Sequence, residues 1–423
     1  MSTAPAATAP IRIASVDAYR GLVMLLMLAG GTLYLPKVAK DFSTPDWQPG
    51  PVLVNAGLGD LAKQVQSWSG WATLGWHQDH VQWRGCTLHD LIQPSFMFLV
   101  GVALPFSLAN RAARGQSDFR LFLHAVFRSF LLIVLAIIHS SDKSTGTNII
   151  FTNVLAQIGL GYPFLFLIAL ARPSWHWVAF AAILIGYWAF FATAMPPAHD
   201  ANLKSIGVTP GWHVEHGLTG FAAHWDKNIS PAHDIDRWLL NQFPRRSPWN
   251  YSNGGYVTLN FVPSLATMIL GLIAGTWLRI PENVWRKIAR LAIVGLVFLA
   301  AGIALDQTGL CPSVKRIWTP SWTLLSGGWC LLFLAGFHAL LDTGGPRGWA
   351  FPLKVIGMNS IMAYFMPFLF RRLLGDQLDI HMGESFFTGL GTGFDVLIRG
   401  ALVLLGFWLV LYWMYCKRLF VRI

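Results

Sequence analysis

Apolar residues along this chain gather into long runs separated by polar loops. Ten runs stand out, near 18–36, 90–110, 119–139, 152–171, 174–194, 257–278, 285–305, 320–341, 350–370 and 396–416. Runs of about 18 to 25 mainly apolar residues are what a helix needs to cross a bilayer's hydrocarbon. The run at 152–171 contains Pro163, and that at 285–305 opens on basic residues, so these two are the least sharply drawn. Ten crossings leave both chain ends on one side. The expected fold is all-α, a polytopic integral membrane protein of about ten transmembrane helices.

Composition supports that class. Of 423 residues, 54% are hydrophobic and 12% charged, the mean hydropathy is +0.49, and there are 20 Trp and 29 Phe. A soluble domain of this length carries far more charge. The formal net charge of +11 does not point to nucleic acid, because the basic residues lie at the ends of apolar runs rather than in one patch. Short loops and ends holding Arg12, Arg20, Arg111, Arg114, Arg120, Arg172, Arg279, Arg286, Lys287, Arg290, Arg347, Lys354, Lys417 and Arg418 are basic. By the positive-inside bias they face the cytoplasm, and so do both termini. Residues 1–17 read as a disordered cytoplasmic tail with no signal-peptide pattern, and 18–423 as a single transmembrane domain. The long mixed-charge loops 37–89 and 195–256 then face the periplasm.

Candidate chemistry concentrates at Trp76–Gly101, which holds His77, His80, His89 and Asp90 beside the start of an apolar run. A carboxylate buried there without a partner costs several kcal/mol, and the imidazoles are the obvious compensation. A histidine oriented by a carboxylate serves as a general base or acyl relay. No H-E-x-x-H or other closely spaced ligand set appears, so no metal is expected. Loop 195–256 mixes Trp and His with Asn, Asp and Gly, a composition that suits carbohydrate and equally an interfacial aromatic belt. Cys86 and Cys311 both fall in outward loops, which leaves a disulfide open. Arg128 lies nine residues into its run, roughly 13 Å along a helix, with His124 one turn before it. An arginine at that depth lines a functional channel or closes an internal ion pair. Asn260, Asn359 and Arg399 are further polar groups inside the apolar runs.

The segments RIASVDAYRGLVMLLML at 12–28, H-x-x-W-x-G-x-T-x-x-D-L at 80–91 and P-x-F-x-F-x-x-G at 94–101 resemble the transmembrane acetyltransferase family of heparan-alpha-glucosaminide N-acetyltransferase, and within it the bacterial NagX-like branch of unknown-function domains. TLNFVPSLATMILGLIAG at 258–275, KRIWTPSW at 315–322 and IGMNSIMAY at 356–364 continue the likeness in order. The resemblance implies a multi-pass acetyltransferase of a bacterial inner membrane. Its donor is acetyl-CoA from the cytosol and its acceptor a glucosamine-type sugar on the far side. His80 takes the catalytic place, supported by Asp90. Asp17 and Arg20, three apart on one helical face, are expected with Arg128 and His124 at the CoA end, where a guanidinium is shaped to hold phosphate. Trp83, Asn260, Trp318 and Asn359 are the expected contacts of the sugar. The chain departs from the family pattern at VLAQI, 154–158, where Gln157 stands in place of a basic residue.

A lipid bilayer is the one certain partner on this reading, and a homodimer is left open. The rival class is a transporter of amino sugars or oligosaccharide fragments. Such transporters carry paired, Gly/Pro-interrupted repeats, and no repeat is visible in this chain.

Overall fold

A computed structural model describes residues 13–142, 144–194 and 203–421. They fold as helices joined by turns, with one isolated antiparallel bridge, Arg84 to Val314. The long helices are α1 (Ala14–Thr32), α6 (Ile92–Ala112), α7 (Asp118–Ser140), α8 (Val154–Ala169), α9 (Pro173–Ala192), α12 (Phe261–Arg279), α13 (Val284–Gln307), α14 (Pro320–Asp342), α16 (Ser360–Met382) and α18 (Phe394–Cys416). Short helices fill the connections: α2 (Leu35–Phe42), α3 (Pro51–Asn55), α4 (Gly59–Gln66), α5 (Gly70–His77), α10 (Pro210–His216), α11 (Pro231–Leu240), α15 (Phe351–Gly357) and α17 (Glu384–Thr388). Most of the expected tail, residues 1–12, lies outside the described residues; residues 14–17 already belong to α1.

Every expected run is a helix, but fewer than ten are straight spans. Among the described residues, seven helices are individually long and apolar enough to cross a membrane, or nine if each of two bent pairs is one span. The run at 18–36 bends by 52° between α1 and α2, where Tyr34 takes a left-handed φ of 47° and Pro36 opens the next helix. The run at 350–370 breaks by 69° between α15 and α16. Helix α8 has 16 residues, about 24 Å at 1.5 Å per residue, short of a hydrocarbon core of about 30 Å.

The bundle centres on α12, the most buried of the spans, packed against α6, α8, α9 and α14. Small residues set the α6–α12 crossing, as in membrane bundles generally, where close backbone approach replaces the hydrophobic effect. A Cβ on Gly271 would stand 1.9 Å from the Phe98 carbonyl oxygen. Gly271→Leu is therefore expected to destabilise the protein by about 3 kcal/mol or more. The check is loss of the monodisperse peak and of a cooperative melt in detergent. Unchanged melting would mean that the crossing tolerates separation.

Above one end of the bundle, α2–α5 and the segment 203–256 form a helical layer. Trp83 joins the two long loops. It is fully buried, its Nε1–H donates to the Trp225 carbonyl (3.1 Å), and its ring meets Trp212 edge-on at 5.7 Å. Cys86 and Cys311 are both free thiols, so the disulfide left open by the sequence is not formed. Burial, with Asp90 nearby, pushes the Cys86 thiol up to about 12.

Candidate active site

The polar and glycine positions of the 80–91 motif have visible structural jobs. Thr87 and Asp90, three apart, form a reciprocal capping box at the entry to α6. The Asp90 amide donates to Thr87 Oγ1 (3.3 Å), and the Thr87 amide donates to Asp90 Oδ2 (3.2 Å). Gly85 has φ 124°, a conformation side chains rarely adopt. Its amide donates to the Ser313 carbonyl (3.0 Å), beside the Arg84–Val314 bridge. Arg84 clamps the same turn through two bonds to the Asp306 carboxylate, 2.8 and 3.1 Å. This pairing brings a residue 225 positions away in sequence onto Asp90.

That residue is Lys315. Its Nζ lies 3.1 Å from Asp90 Oδ1 and 3.3 Å from His80 Nδ1. Lys315 is 4% and Asp90 1% exposed. At that depth neither charge is tolerable alone, and each supplies what the other lacks. Asp90 Oδ1 also sits 2.7 Å from His80 Nδ1, and its Oδ2 accepts from the Val81 amide (3.2 Å). Two unprotonated acceptors would repel at 2.7 Å, so His80 Nδ1 carries the proton and donates it to Asp90. The lysine ammonium then bonds to the carboxylate rather than to the ring. In a neutral ring, a proton on Nδ1 leaves Nε2 with the lone pair that a general base or acyl relay requires. The His89 ring lies 4.6 Å from that of His80, centroid to centroid.

His80 and Lys315 open on a cavity of about 1130 Å³, also lined by Met27, His89, Gln93, His139, Asn153, Tyr256, Tyr364, Arg371 and Arg372. The cavity descends along α1 to Met27 and along α16 to Tyr364. Arg371 donates to the Gly31 carbonyl (3.4 Å) and lies over the Tyr34 ring, 5.5 Å from its centre.

The other residues anticipated from sequence divide into separate places. Arg20 pairs with Asp17 at 3.6 Å near the start of α1, far from His80 along the helix. Arg128 faces α8, its guanidinium 4.7 Å above the Tyr162 ring and donating to the Tyr162 hydroxyl at 3.2 Å. It shares a cavity of about 50 Å³ with His124, which contacts Arg111 at 3.1 Å. Neither Asp17 nor Arg20 lines that cavity. Asn260 donates to the Arg316 carbonyl (2.8 Å), and Trp318 Nε1–H donates to Thr267 (3.3 Å); both residues are buried beside the Lys315 turn. Asn359 clamps the chain's end, donating to the Leu419 carbonyl (2.9 Å) and accepting from the Val421 amide (3.0 Å). Gln157 donates to the carbonyls of Phe151 and Thr258, neutral acceptors that need no cation. No group of three or more potential metal ligands occurs among the described residues.

Against known proteins, the chain is similar to heparan-alpha-glucosaminide N-acetyltransferase. The human protein of that name is 24% identical over 395 residues, covering 84% of this chain and 52% of its own length. The mouse protein is 23% identical over 398 residues, with 84% and 53% covered. The chain spans about half the length of these curated relatives. No family model matches.

Outside the site, the layer holds further buried acids, Asp226 and Asp236. Asp236 on α11 is fully buried and accepts from the Thr258 amide at 2.9 Å. Burial outweighs the Thr258 hydrogen bonds and pushes its carboxyl up to about 6. A folded-state value above the unfolded one gives stability that is full below about pH 4 and is lost as pH rises through 6, by roughly 3 kcal/mol in all. Asp236→Asn keeps the acceptor for Thr258 and removes the charge. The variant should melt higher than wild type at pH 8 and alike at pH 4, in scans across that range. Equal melting at pH 8 would mean that water or a counter-ion relieves the charge.

Proposed function

We propose that this chain is a multi-pass acetyltransferase that moves the acetyl group of acetyl-CoA onto the amine of a glucosamine-type sugar. The observation that carries it is the buried Lys315–Asp90 pair holding His80 in one tautomer at the edge of a large cavity. The similarity to N-acetyltransferases of the same name supports the reaction class. In the reaction His80 Nε2 takes a proton from the attacking amine as its nitrogen bonds the acetyl carbon. The carbon–sulfur bond breaks, and coenzyme A leaves as the thiol with a proton returned to it. A relay through acetyl-His80 uses the same lone pair.

The donor enters from the cytoplasmic end and the acceptor from the opposite face of a bacterial inner membrane. Charge bias supports this sidedness: the short basic loops lie at the Asp17–Arg20 end, and His80 lies at the other. Arg20, His124 and Arg128 are the groups at the cytoplasmic end suited to coenzyme A phosphates, with Asp17 orienting Arg20. Trp83, Asn260 and Trp318 hold the layer that shapes the acceptor side, while Asn359 acts through the chain's C-terminal end.

The test is transfer across a sealed bilayer. Proteoliposomes of one orientation, with acetyl-CoA on the side of the termini and glucosamine on the other, should make N-acetylglucosamine on the glucosamine side. Product formed only when both substrates share a side would overturn transmembrane transfer. Movement of unmodified glucosamine would point to a transporter instead.

A further inference from the structure

His80 lines two cavities and is the one residue their linings share. The large cavity is walled mainly by bundle helices. The second, about 430 Å³, is walled by α2, α5, the turn that follows α5, and His216 of α10. It belongs wholly to the layer above the bundle. The imidazole therefore stands between a chamber reached through the helices and one reached through the loops.

The two chambers differ in charge. In the large one Lys315 is paired with Asp90 and Arg372 with Asp376, and among the described lining residues the cation Arg371 offsets the acid Asp142, so no carboxylate there is left in excess for an ammonium. In the small one the cation Arg84 is already clamped by Asp306, and Asp79 presents a carboxylate. Asp79 Oδ1 accepts from the His80 amide at 2.8 Å, which fixes the carboxylate next to the base. Trp76, 55% exposed, lies on the same wall. Aromatic faces stack on the C–H surface of a sugar, and a carboxylate binds its ammonium or hydroxyls.

We infer that the small cavity is the acceptor site: it takes one terminal amino-sugar ring, with Asp79 holding the ammonium and Trp76 stacking on the ring. This rests on the acetyltransferase reading above. An ammonium held by Asp79 loses its first proton to solvent before attack, and the neutral amine that results gives its second proton to His80 as the nitrogen bonds the acetyl carbon.

Site occupancy can be read without turnover. Ala72→Cys reports the small cavity and Ser140→Cys the large one. Each full-length variant is alkylated in membranes with a charged thiol reagent, and the rate at that site is followed by mass spectrometry. Glucosamine should slow alkylation at Ala72→Cys and leave Ser140→Cys unchanged. Glucose, which lacks the ammonium, should protect about fivefold less well, the worth of one exposed ion pair. Asp79→Asn keeps the acceptor for the His80 amide and should make the two sugars equal. Protection at Ser140→Cys, protection at neither site, or a preference for glucosamine that survives Asp79→Asn would each overturn the assignment. Protection at Ala72→Cys in a protein that transfers no acetyl would sink the proposed reaction and leave the site standing.

Discussion

His80→Ala is expected to lower kcat for acetyl transfer at least ~100-fold, the usual contribution of a positioned general base. Its melting temperature should stay close to wild type. The reason lies in the partners: His80 is half-exposed, and its removal leaves Lys315 and the Val81 and Thr87 amides on the Asp90 carboxylate. The measurement is single-turnover transfer to glucosamine alongside a melt of the same preparation. Near wild-type turnover would move the role to His89, the ring 4.6 Å away.

Lys315→Met should act in the opposite order, on stability first. Methionine fills similar volume but leaves Asp90, 1% exposed, as a buried charge without its cation. Breaking such a pair from one side costs about 3–5 kcal/mol. The double variant Lys315→Met/Asp90→Asn removes both charges and should recover most of that loss. It should not recover activity, because a carboxamide in place of the carboxylate can turn its NH2 as readily as its oxygen toward His80 Nδ1 and no longer fixes the tautomer. Denaturation of the two variants, with transfer assays on each, separates packing from chemistry. If the single variant is as stable as wild type, the lysine is a bystander. If the double variant is fully active, the buried pair does not position the base.

Much of this was legible in the sequence, and the limits have physical causes. All ten apolar runs became helices because burial in lipid demands apolar length, and length is directly visible. The bends at Tyr34 and Asn359 were not, since both lie inside continuous apolar stretches and hydropathy carries no direction. The pairing of His80 with Asp90, 2.7 Å apart, was legible because a carboxylate at the head of an apolar run is costly and calls for partners nearby in sequence. Lys315 was missed because its partner is 225 positions away. A lysine in a loop reads as an anchor until the Arg84–Val314 bridge shows which loop it meets. The only signal was its place at the head of KRIWTPSW, a matching segment whose Lys was not singled out. Arg20, read at the mouth of the first helix, and Arg128, read about 13 Å into its own, were both expected at the coenzyme A end, and the fold gives them separate partners, Asp17 and Tyr162.

Asp90 does two things with one carboxylate. Its Oδ2 closes the first turn of α6 through Thr87, and its Oδ1 aims the imidazole. The base is thus fastened to the end of a membrane helix rather than to a free loop, and its height above the bilayer is set by how deep that helix sits. Lipids that draw α6 inward or let it rise would carry His80 with them, so on the proposed reaction membrane thickness is expected to act as a dial on the rate.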